Sequence, residues 1–553
     1  MNVPMKIALQ QCLKAHGIDT IYGVPGRESQ FIRFNEVEGL DFISTRVEFT
    51  AAIAGEVHAS LLNKPQAVFA TMGPGATNLT TGIAAAMLNH APVLYLTAQL
   101  EDYDKFYNYT HQCVDQTSIF EPITKKSVEL DKPSSIYKTM HELLNLAMEE
   151  PRVPVHLAIP CNYFDMDVEE EECSTSVEED LHTFNSPISD ETLRALKDSI
   201  AEAKHPIAFL GSEICRENAY EDVLNLCHMI NLPFFTAPSI KGISDDRYDS
   251  LNLGCASCYM EGIYGEALLQ PLFADVDLVV LIGYQYVDDI LPKMWTRGIP
   301  KKVVSIQLVR DNRLYKLLDT DTVYAGSIKQ CCTELAEALV GVHKSVSASV
   351  SDYRKKISNF SEKLPQEGKL TPYSVIKEVN RYFSGGKIVT DIGYYRHHVS
   401  LFAQPLSPHS LITDTAISSF GSGLPSAIAA KRCFADKDVV LICGDGGFHS
   451  GSGDLSTLVK YHLPILIIVM NNSSFELIHL YQQSSMEEKN LPNTDATTLS
   501  YVDFVQLAEA NGCEGKRVRS SSELRKAIEQ WDKAHTLLIE TNLEYMDEFN
   551  VSF

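Results

Sequence analysis

Two short motifs in the last third of this 553-residue chain carry side chains suited to a hard divalent cation and a phosphate. Gly444-Asp445-Gly446 closes the apolar run Val439 to Cys443. Asn471-Asn472 closes a second run, Pro464 to Met470, after 24 intervening residues, Gly447 to Met470. Short apolar runs of this kind read as buried strands. Two adjacent parallel strands would then end in an Asp and an Asn on one sheet edge, and open α/β sheets bind ligands outside the carboxyl ends of their strands. A carboxylate, an amide oxygen and a diphosphate together suit octahedral Mg²⁺. Gly444, Gly446 and Gly447 let backbone N–H groups approach phosphate oxygens that a side chain would hold off. A lone Gly-Asp-Gly is an ordinary turn; the paired Asn-Asn gives it weight.

An earlier group is Glu48, in Thr45-Arg46-Val47-Glu48, at the start of an apolar-faced helix with Phe49, Ala52, Ile53 and Val57. On its own, an acidic residue at a helix N-terminus is explained by the macrodipole.

Positioning such groups requires sheets, and strand and helix signals alternate throughout. The first block reads as a helix, Lys6 to His16, stopped by Gly17. Strands Ile18 to Gly23, Asp41 to Ser44, Ala67 to Thr71 and Val93 to Thr97 follow, with helices Glu48 to Leu62 and Leu79 to Leu88 and a Gly73-Pro74-Gly75 turn between them. A second block supplies strands Ile207 to Leu210, Pro233 to Thr236, Leu278 to Ile282 and Val303 to Gln307. A third supplies Lys387 to Thr390, Val439 to Cys443, Ile465 to Met470 and Leu537 to Glu540. Buried strands alternating with helices indicate an α/β chain of three doubly wound parallel-sheet domains, expected over residues 1–168, 186–343 and 370–553. Three such sheets suggest duplication of one architecture. Two polar stretches separate them: Asp165 to Asp180, read as a solvated acidic linker, and Lys344 to Pro372, in which Tyr353 to Leu364 could form a surface helix.

Composition narrows the function. Hydrophobic residues make up 45% of the chain and charged residues 22%, which suits a core that needs no disulfide or metal staple. Lys and Arg number 47 against 72 Asp and Glu, a net charge of −25 that repels nucleic acid and anionic membranes. Met1 to Lys6 lacks the features of a signal peptide. The most apolar segment, Ile83 to Leu96, is broken by Asn89, His90 and Pro92, so no bilayer span is expected and a cytoplasmic protein is. The 13 cysteines follow no framework spacing. Cys255 and Cys258 form a CxxC and Cys331-Cys332 a vicinal pair, but neither has partners at ligand spacing, so they read as incidental reduced thiols.

Thr45-Arg46-x-Glu48, Gly73-Pro74-Gly75-Ala76-Thr77-Asn78 and Gly-Asp-Gly…Asn-Asn resemble, in order and spacing over nearly the whole chain, the acetolactate synthase branch of the thiamine-diphosphate (ThDP) enzymes. Within that branch the closer resemblance is to the carboxyethylarginine synthases. It rests on Gly26-Arg27-Glu28, Glu36 to Phe42, Thr45 to Thr50, Thr110-His111-Gln112-Cys113, Asp391-Ile392-Gly393, Arg396-His397, Ser418-Ser419-Phe420-Gly421, Gly444 to Ser450 and Leu480-Tyr481-Gln482. The resemblance implies pyrimidine-binding, central and diphosphate-binding domains. It also implies a cofactor shared between two chains, hence a homodimer at minimum and a homotetramer as the expected assembly. By carry-over, Asp445, Asn472 and the Ser474 carbonyl would bind Mg²⁺. Gly444, Gly446 and Gly447 would bind the diphosphate, and Gly73, Asn78, Ser418 and Leu477 would line the cofactor. Phe420 would press it into its bent shape, in the position of the family's usual methionine. Glu48 would hydrogen-bond pyrimidine N1′ and favour the imino tautomer that deprotonates the thiazolium carbon.

In that architecture His111 and Gln112 lie beyond the strand ending Thr97-Ala98-Gln99, on the cofactor edge. There they would contact substrate, with His111 moving protons; plain surface polarity is the alternative. Arg396 and His397 follow a strand end, where Arg396 could clamp a phosphate or carboxylate; a surface ion pair is the alternative. His449 is left without a role. Ser305 to Arg310 lacks the Ile-Asp-x-Asp-Pro-like run of flavin-bearing relatives, so no FAD is expected. Ser473-Ser474-Phe475-Glu476 departs from the carboxyethylarginine synthase pattern, which is smaller and more polar there. The favoured activity is a Mg²⁺- and ThDP-dependent transferase joining a carbon donor, glyceraldehyde 3-phosphate, to an amine such as arginine. The alternative is a decarboxylating carboligase acting on pyruvate or another 2-oxo acid. A catalytically silent cofactor-binding protein would lack the glutamate or the metal ligands, and both are present.

Overall fold

The computed structural model describes residues 1–26, 36–107, 111–171, 188–255, 271–288, 302–310, 322–363, 370–489 and 495–543. The chain forms two compact units. The first comprises Met1–Thr183 with Ala416–Ala435 and Gly451–Leu463; the second comprises Phe184–Thr415, Asp436–Ser450 and Pro464–Phe553.

The first unit holds a six-stranded parallel sheet: β1 (Thr20–Gly23), β2 (Asp41–Ser44), β3 (Gln66–Ala70), β4 (Val93–Gln99), β5 (Lys126–Glu129) and β6 (Val155–Pro160), in the order β2-β1-β3-β4-β6-β5. The second unit holds two more. The central sheet is β7 (Pro206–Leu210), β8 (Phe234–Thr236), β9 (Asn252–Cys255), β10 (Leu278–Ile282), β11 (Lys302–Gln307) and β12 (Thr322–Ala325), ordered β9-β8-β7-β10-β11-β12. The last is β13 (Lys387–Thr390), β14 (Leu411–Thr413), β15 (Val439–Gly444), β16 (Leu466–Asn471), β17 (Glu514–Val518) and β18 (Leu537–Asn542), ordered β14-β13-β15-β16-β18-β17. The fold is α/β with three doubly wound parallel sheets, as the strand pattern requires. The expected single repeated architecture needs correction: the first and last sheets share one strand order, and the central sheet has another.

Helix α1 (Met5–Ala15) buries Met5, Ala8, Leu9, Cys12 and Leu13, one apolar stripe at helical spacing. It packs with Phe69, Leu94, Leu96 and Leu157 of the first sheet. Helix α2 (Glu48–Leu62) is buried along nearly its whole length. Small residues let the helix Thr80–Leu88 approach it closely: a Cβ on Gly82 of that helix would stand 2.2 Å from the Ala52 Cβ of α2. Gly73-Pro74-Gly75, expected as a turn, leads into a short helix, α3 (Pro74–Asn78). Successive residues of β7 face opposite cores, Ala208 and Leu210 one and Ile207 and Phe209 the other, as a strand covered on both faces must.

The acidic stretch was expected to be a solvated linker, but Asp167–Glu169 pairs antiparallel with Asn2–Pro4; residues 172–180 lie outside the described residues. The expected surface helix is longer, α4 (Ala348–Lys363), and Val350 and Tyr353 bury it against the second unit's core. Leu364, Arg27, Glu28, Thr110 and Cys258 also lie outside the described residues. The described cysteines are free thiols, with Cys331 and Cys332 buried. Among the described residues no helix is long and apolar enough to cross a membrane.

Candidate active site

In the first unit the turn from β2 into α2 is tied down at several points. The Ser44 N–H donates to the Tyr461 Oη at 2.8 Å, and that hydroxyl donates to the Phe42 carbonyl at 3.1 Å. The Arg46 N–H donates to Asp454 Oδ1 at 2.8 Å. Burial pushes the Asp454 carboxyl upward, and the hydrogen bonds that Oδ1 accepts from the Thr457 hydroxyl and the Arg46 N–H oppose the shift. Helix α2 also packs against a helix of the chain's last third, Gly423–Cys433. The result is a fixed Glu48, 8% exposed, whose Oε2 accepts the Asn78 Nδ2–H at 3.0 Å. A Cβ on Gly75 would sit 3.3 Å from Glu48 Oε1 and 2.6 Å from Thr71 Cγ2, so glycine leaves room beside the carboxylate.

Gly73 and Gln112 meet across two loops. Gly73 has φ +63°, and a Cβ there would stand 2.6 Å from the Gln112 Cβ. Gln112 itself has φ +71°, a costly conformation for a residue with a side chain and one concentrated at functional sites. His111 beside it is exposed. Ser418 (φ +52°) and Gly421 (φ +86°), both in the left-handed region, flank Phe420, which is 53% exposed. Phe420 thus stands out as a large apolar group on a constrained turn.

The second unit carries the phosphate side. Strands β15 and β16 pair in parallel with Gly444 opposite Met470, so Asp445 and Asn471-Asn472 leave the sheet at one level, as the spacing implied. Asn471 is not a ligand candidate: its Nδ2–H donates to the buried Glu540 Oε1 at 3.0 Å, and Arg517 Nη2–H donates to Glu540 Oε2 at 2.9 Å. Phe475 N–H donates to the Thr497 carbonyl at 2.9 Å and Leu499 N–H to the Ser473 carbonyl at 2.7 Å, fixing the loop that contains Ser474. Leu477 follows in helix α5 (Glu476–Lys489), partly buried.

Asp445 is 5% exposed. Its Oδ1 accepts the Gly446 N–H at 2.8 Å, and its Oδ2 is buried with no hydrogen-bond partner. Burial pushes this carboxyl upward, against the pull of the Gly446, Ser473 and Asn472 backbone. An orphaned carboxylate oxygen at the end of one strand and an Asn amide oxygen just past the end of the next are a donor set that suits a hard cation. Gly446 leaves the space: a Cβ there would meet the Phe475 ring at 2.5 Å. The residues present therefore fit Mg²⁺ and a diphosphate. Gly444 is likewise closed over by Tyr395, whose Cε1 would lie 3.0 Å from an added Cβ.

Arg396 and His397 lie in the helix Tyr394–Phe402, directly beyond β13. Arg396 is 5% exposed, and its Nη1–H points at the Asp414 carbonyl at 3.4 Å. His397 is half-buried, and burial together with Arg396 and His398 holds its imidazole at about 3, so it is neutral near pH 7. His449 is exposed, edge-on to Phe504 with ring centroids 6.3 Å apart. A cavity of about 610 Å³ elsewhere in this unit, lined among others by Arg247, Tyr353, Arg354 and Lys377, contains none of the expected site residues.

Sequence reasoning missed Asp454, Tyr395 and the Glu540–Arg517 pair. A charged residue ending the apolar run Leu537 to Glu540 was a legible signal for the last; Asp454 and Tyr395 sit in segments whose pattern gives none.

Residues 5–119, 193–335 and 391–541 match, in order, the N-terminal TPP-binding, central and C-terminal TPP-binding domains of thiamine pyrophosphate enzymes. A probable acetolactate synthase large subunit of Methanocaldococcus jannaschii is 26% identical over 541 residues, covering 95% of this chain and 89% of that protein. An acetolactate synthase of Bacillus subtilis is 25% identical over 557 residues, 98% of this chain and 93% of that protein. The acetolactate synthase large subunit of Lactococcus lactis is 25% identical over 539 residues, 96% and 91% of the two. With the matched domains taking up well over half of the chain and containing both Glu48 and the Asp445–Asn472 rim, the protein belongs to the thiamine pyrophosphate enzymes, as an acetolactate synthase-like member.

Proposed function

We propose that the protein is a decarboxylating carboligase, releasing carbon dioxide from a 2-oxo acid such as pyruvate and transferring the remaining acyl group to a second carbonyl. The observation that supports this best is the full-length likeness to proteins named acetolactate synthase, in a chain that keeps both halves of the site. Asp445 Oδ2, the Asn472 amide oxygen and the Ser474 carbonyl would hold Mg²⁺, and the backbone at Gly444, Gly446 and Gly447 would hold the diphosphate. ThDP supplies a carbon nucleophile and an electron sink beside the substrate carbonyl. Glu48, with one oxygen held by Asn78, would exchange a proton at the pyrimidine. Gly73, Asn78, Ser418, Phe420 and Leu477 would line the cofactor, and His111 and Gln112 would contact the substrate. A homodimer is the smallest active unit on this reading, and a homotetramer the expected assembly.

One set of residues favours a second reading, the carboxyethylarginine synthase type, in which glyceraldehyde 3-phosphate is the donor and an amine such as arginine the acceptor. His111-Gln112 and Arg396-His397 are among the segments that resemble those enzymes, and Arg396 would take the donor phosphate. Kinetics with each donor separate the two readings: under the first, pyruvate is turned over and the phosphorylated triose is not; under the second, the triose is turned over and Arg396→Ala raises its KM.

A further inference from the structure

Phe475 and Glu476 directly follow the Asn472–Ser474 loop. Glu476 opens α5, where an acidic side chain complements the helix macrodipole. That accounts for its charge, not for where the charge points. Glu476 Oε2 accepts the Asn472 Nδ2–H at 2.7 Å, while the other end of the same amide, Oδ1, accepts the Ser474 N–H at 3.2 Å. A carboxylate can only accept and a backbone N–H can only donate. The two partners therefore decide which end of the Asn472 amide is oxygen. Turning the amide over would set oxygen against carboxylate and NH₂ against N–H, losing both bonds. The oxygen end is the one a hard cation needs.

The neighbour acts on the same loop. The Phe475 ring lies over Gly446, whose N–H is bound to Asp445 Oδ1 at 2.8 Å. Phe475 N–H is itself tied to the Thr497 carbonyl at 2.9 Å. The loop that carries Asn472 is thus held from both sides.

We propose that Glu476 is a positioning residue of the cation site, locking Asn472 with its amide oxygen presented to Mg²⁺ and bringing a negative charge one hydrogen bond away from the ion. This rests on the reading of Asp445, Asn472 and Ser474 as the cation ligands. The test is Mn²⁺ binding to the full-length protein at fixed, saturating ThDP, read from the electron paramagnetic resonance signal of free Mn²⁺, with the melting temperature of the metal-free protein measured in parallel. Loss of the hydrogen-bonded partner of a metal ligand typically weakens metal affinity about 10- to 100-fold, and E476A should do so with little change in metal-free melting. E476Q should weaken it less, because an amide can accept from Asn472 but can also donate and so tolerates the turned-over state. Mn²⁺ affinity in E476A within about twofold of wild type overturns the proposal. Should E476A fail to fold, E476Q carries the test, with unchanged affinity again overturning it. Asp445→Ala is the control: if that variant also binds Mn²⁺ normally, the cation-site reading itself is wrong, whereas loss there with normal binding in E476A sinks the Glu476 role alone.

Discussion

Asp445→Ala should affect the metal-free and the loaded protein very differently. In the metal-free protein Asp445 is 5% exposed and its Oδ2 has no hydrogen-bond partner. Leaving a buried polar atom unsatisfied costs about 1–3 kcal/mol, and the bond that Oδ1 accepts from Gly446 returns about 1.5–3 kcal/mol. Alanine removes both terms, so the metal-free variant should melt close to wild type. Loading reverses the comparison. A ligand at 100 times its Kd stabilises the folded state by about 2.7 kcal/mol, and the wild type should gain that much from Mg²⁺ with ThDP. The variant, without its carboxylate, should gain almost none. Scanning calorimetry of both proteins, in chelator and in excess Mg²⁺ and ThDP, reads the four melting temperatures needed. A variant that keeps the full ligand-induced shift would refute Asp445 as a metal ligand. A metal-free variant that is strongly destabilised would make it a structural residue instead.

Glu48→Gln should keep ThDP binding but slow deuterium exchange at the cofactor's thiazolium carbon about 10²- to 10⁴-fold, as read by NMR; unchanged exchange would remove Glu48 from proton transfer. If each site draws on two chains, mixing inactive Glu48→Gln and Asp445→Ala proteins and allowing exchange should restore about a quarter of wild-type activity, since half the dimers are mixed and each has one intact site; no recovery despite exchange would place both residues in one chain's site. Gly73→Ala must absorb both φ +63° and the Gln112 Cβ at 2.6 Å, so it should destabilise the protein by about 1–3 kcal/mol in chemical denaturation, and a neutral result would mean Gln112 moves freely. His156 is fully buried between the Thr97 and Ser127 hydroxyls, each 2.8 Å away, and burial holds its imidazole at about 3. The unfolded chain then binds a proton that the folded chain does not between about 6.5 and 3, so stability should fall as pH drops through that window, by up to about 1.4 kcal/mol per pH unit for each such histidine. His156→Gln should flatten the acid limb of the denaturation midpoint against pH; an unchanged slope contradicts the assignment.

The strands that position the site were legible because they are continuous apolar runs: Leu278–Ile282 and Lys387–Thr390 run where the pattern puts them, and Val439–Gly444 ends one residue later. Two edge strands were not, although a third, Asp41–Ser44, was. Lys126–Glu129 and Glu514–Val518 are polar and partly exposed, so burial leaves no apolar signature in them. Val155–Pro160 was missed for another reason: His156 interrupts its apolar run yet is buried, satisfied by two hydroxyls from neighbouring parts of the sheet. The strand in the acidic stretch after Asp165 was not legible because its partner, Asn2–Pro4, lies more than 160 residues away in sequence, beyond any local pattern. The site was legible where chemistry and spacing coincide, at Asp445 and Asn472. The positive φ of Gln112 depends on its loop meeting Gly73, nearly forty residues away in sequence, and the bond from Asn472 to Glu476, though only four residues apart, depends on how the loop between them turns, which no residue pattern announces.

Product analysis with each donor reads which bond the protein breaks. The purified protein, with Mg²⁺ and ThDP, is given carbon-13-labelled pyruvate in one reaction and glyceraldehyde 3-phosphate with arginine in another, and both are followed by NMR together with a phosphate assay. A decarboxylating carboligase releases labelled carbon dioxide from pyruvate and forms a new carbon–carbon bond, losing both in Glu48→Gln, and it frees no phosphate from the triose. Phosphate release from the triose with a new carbon–nitrogen bond to arginine, and no carbon dioxide from pyruvate, would contradict it.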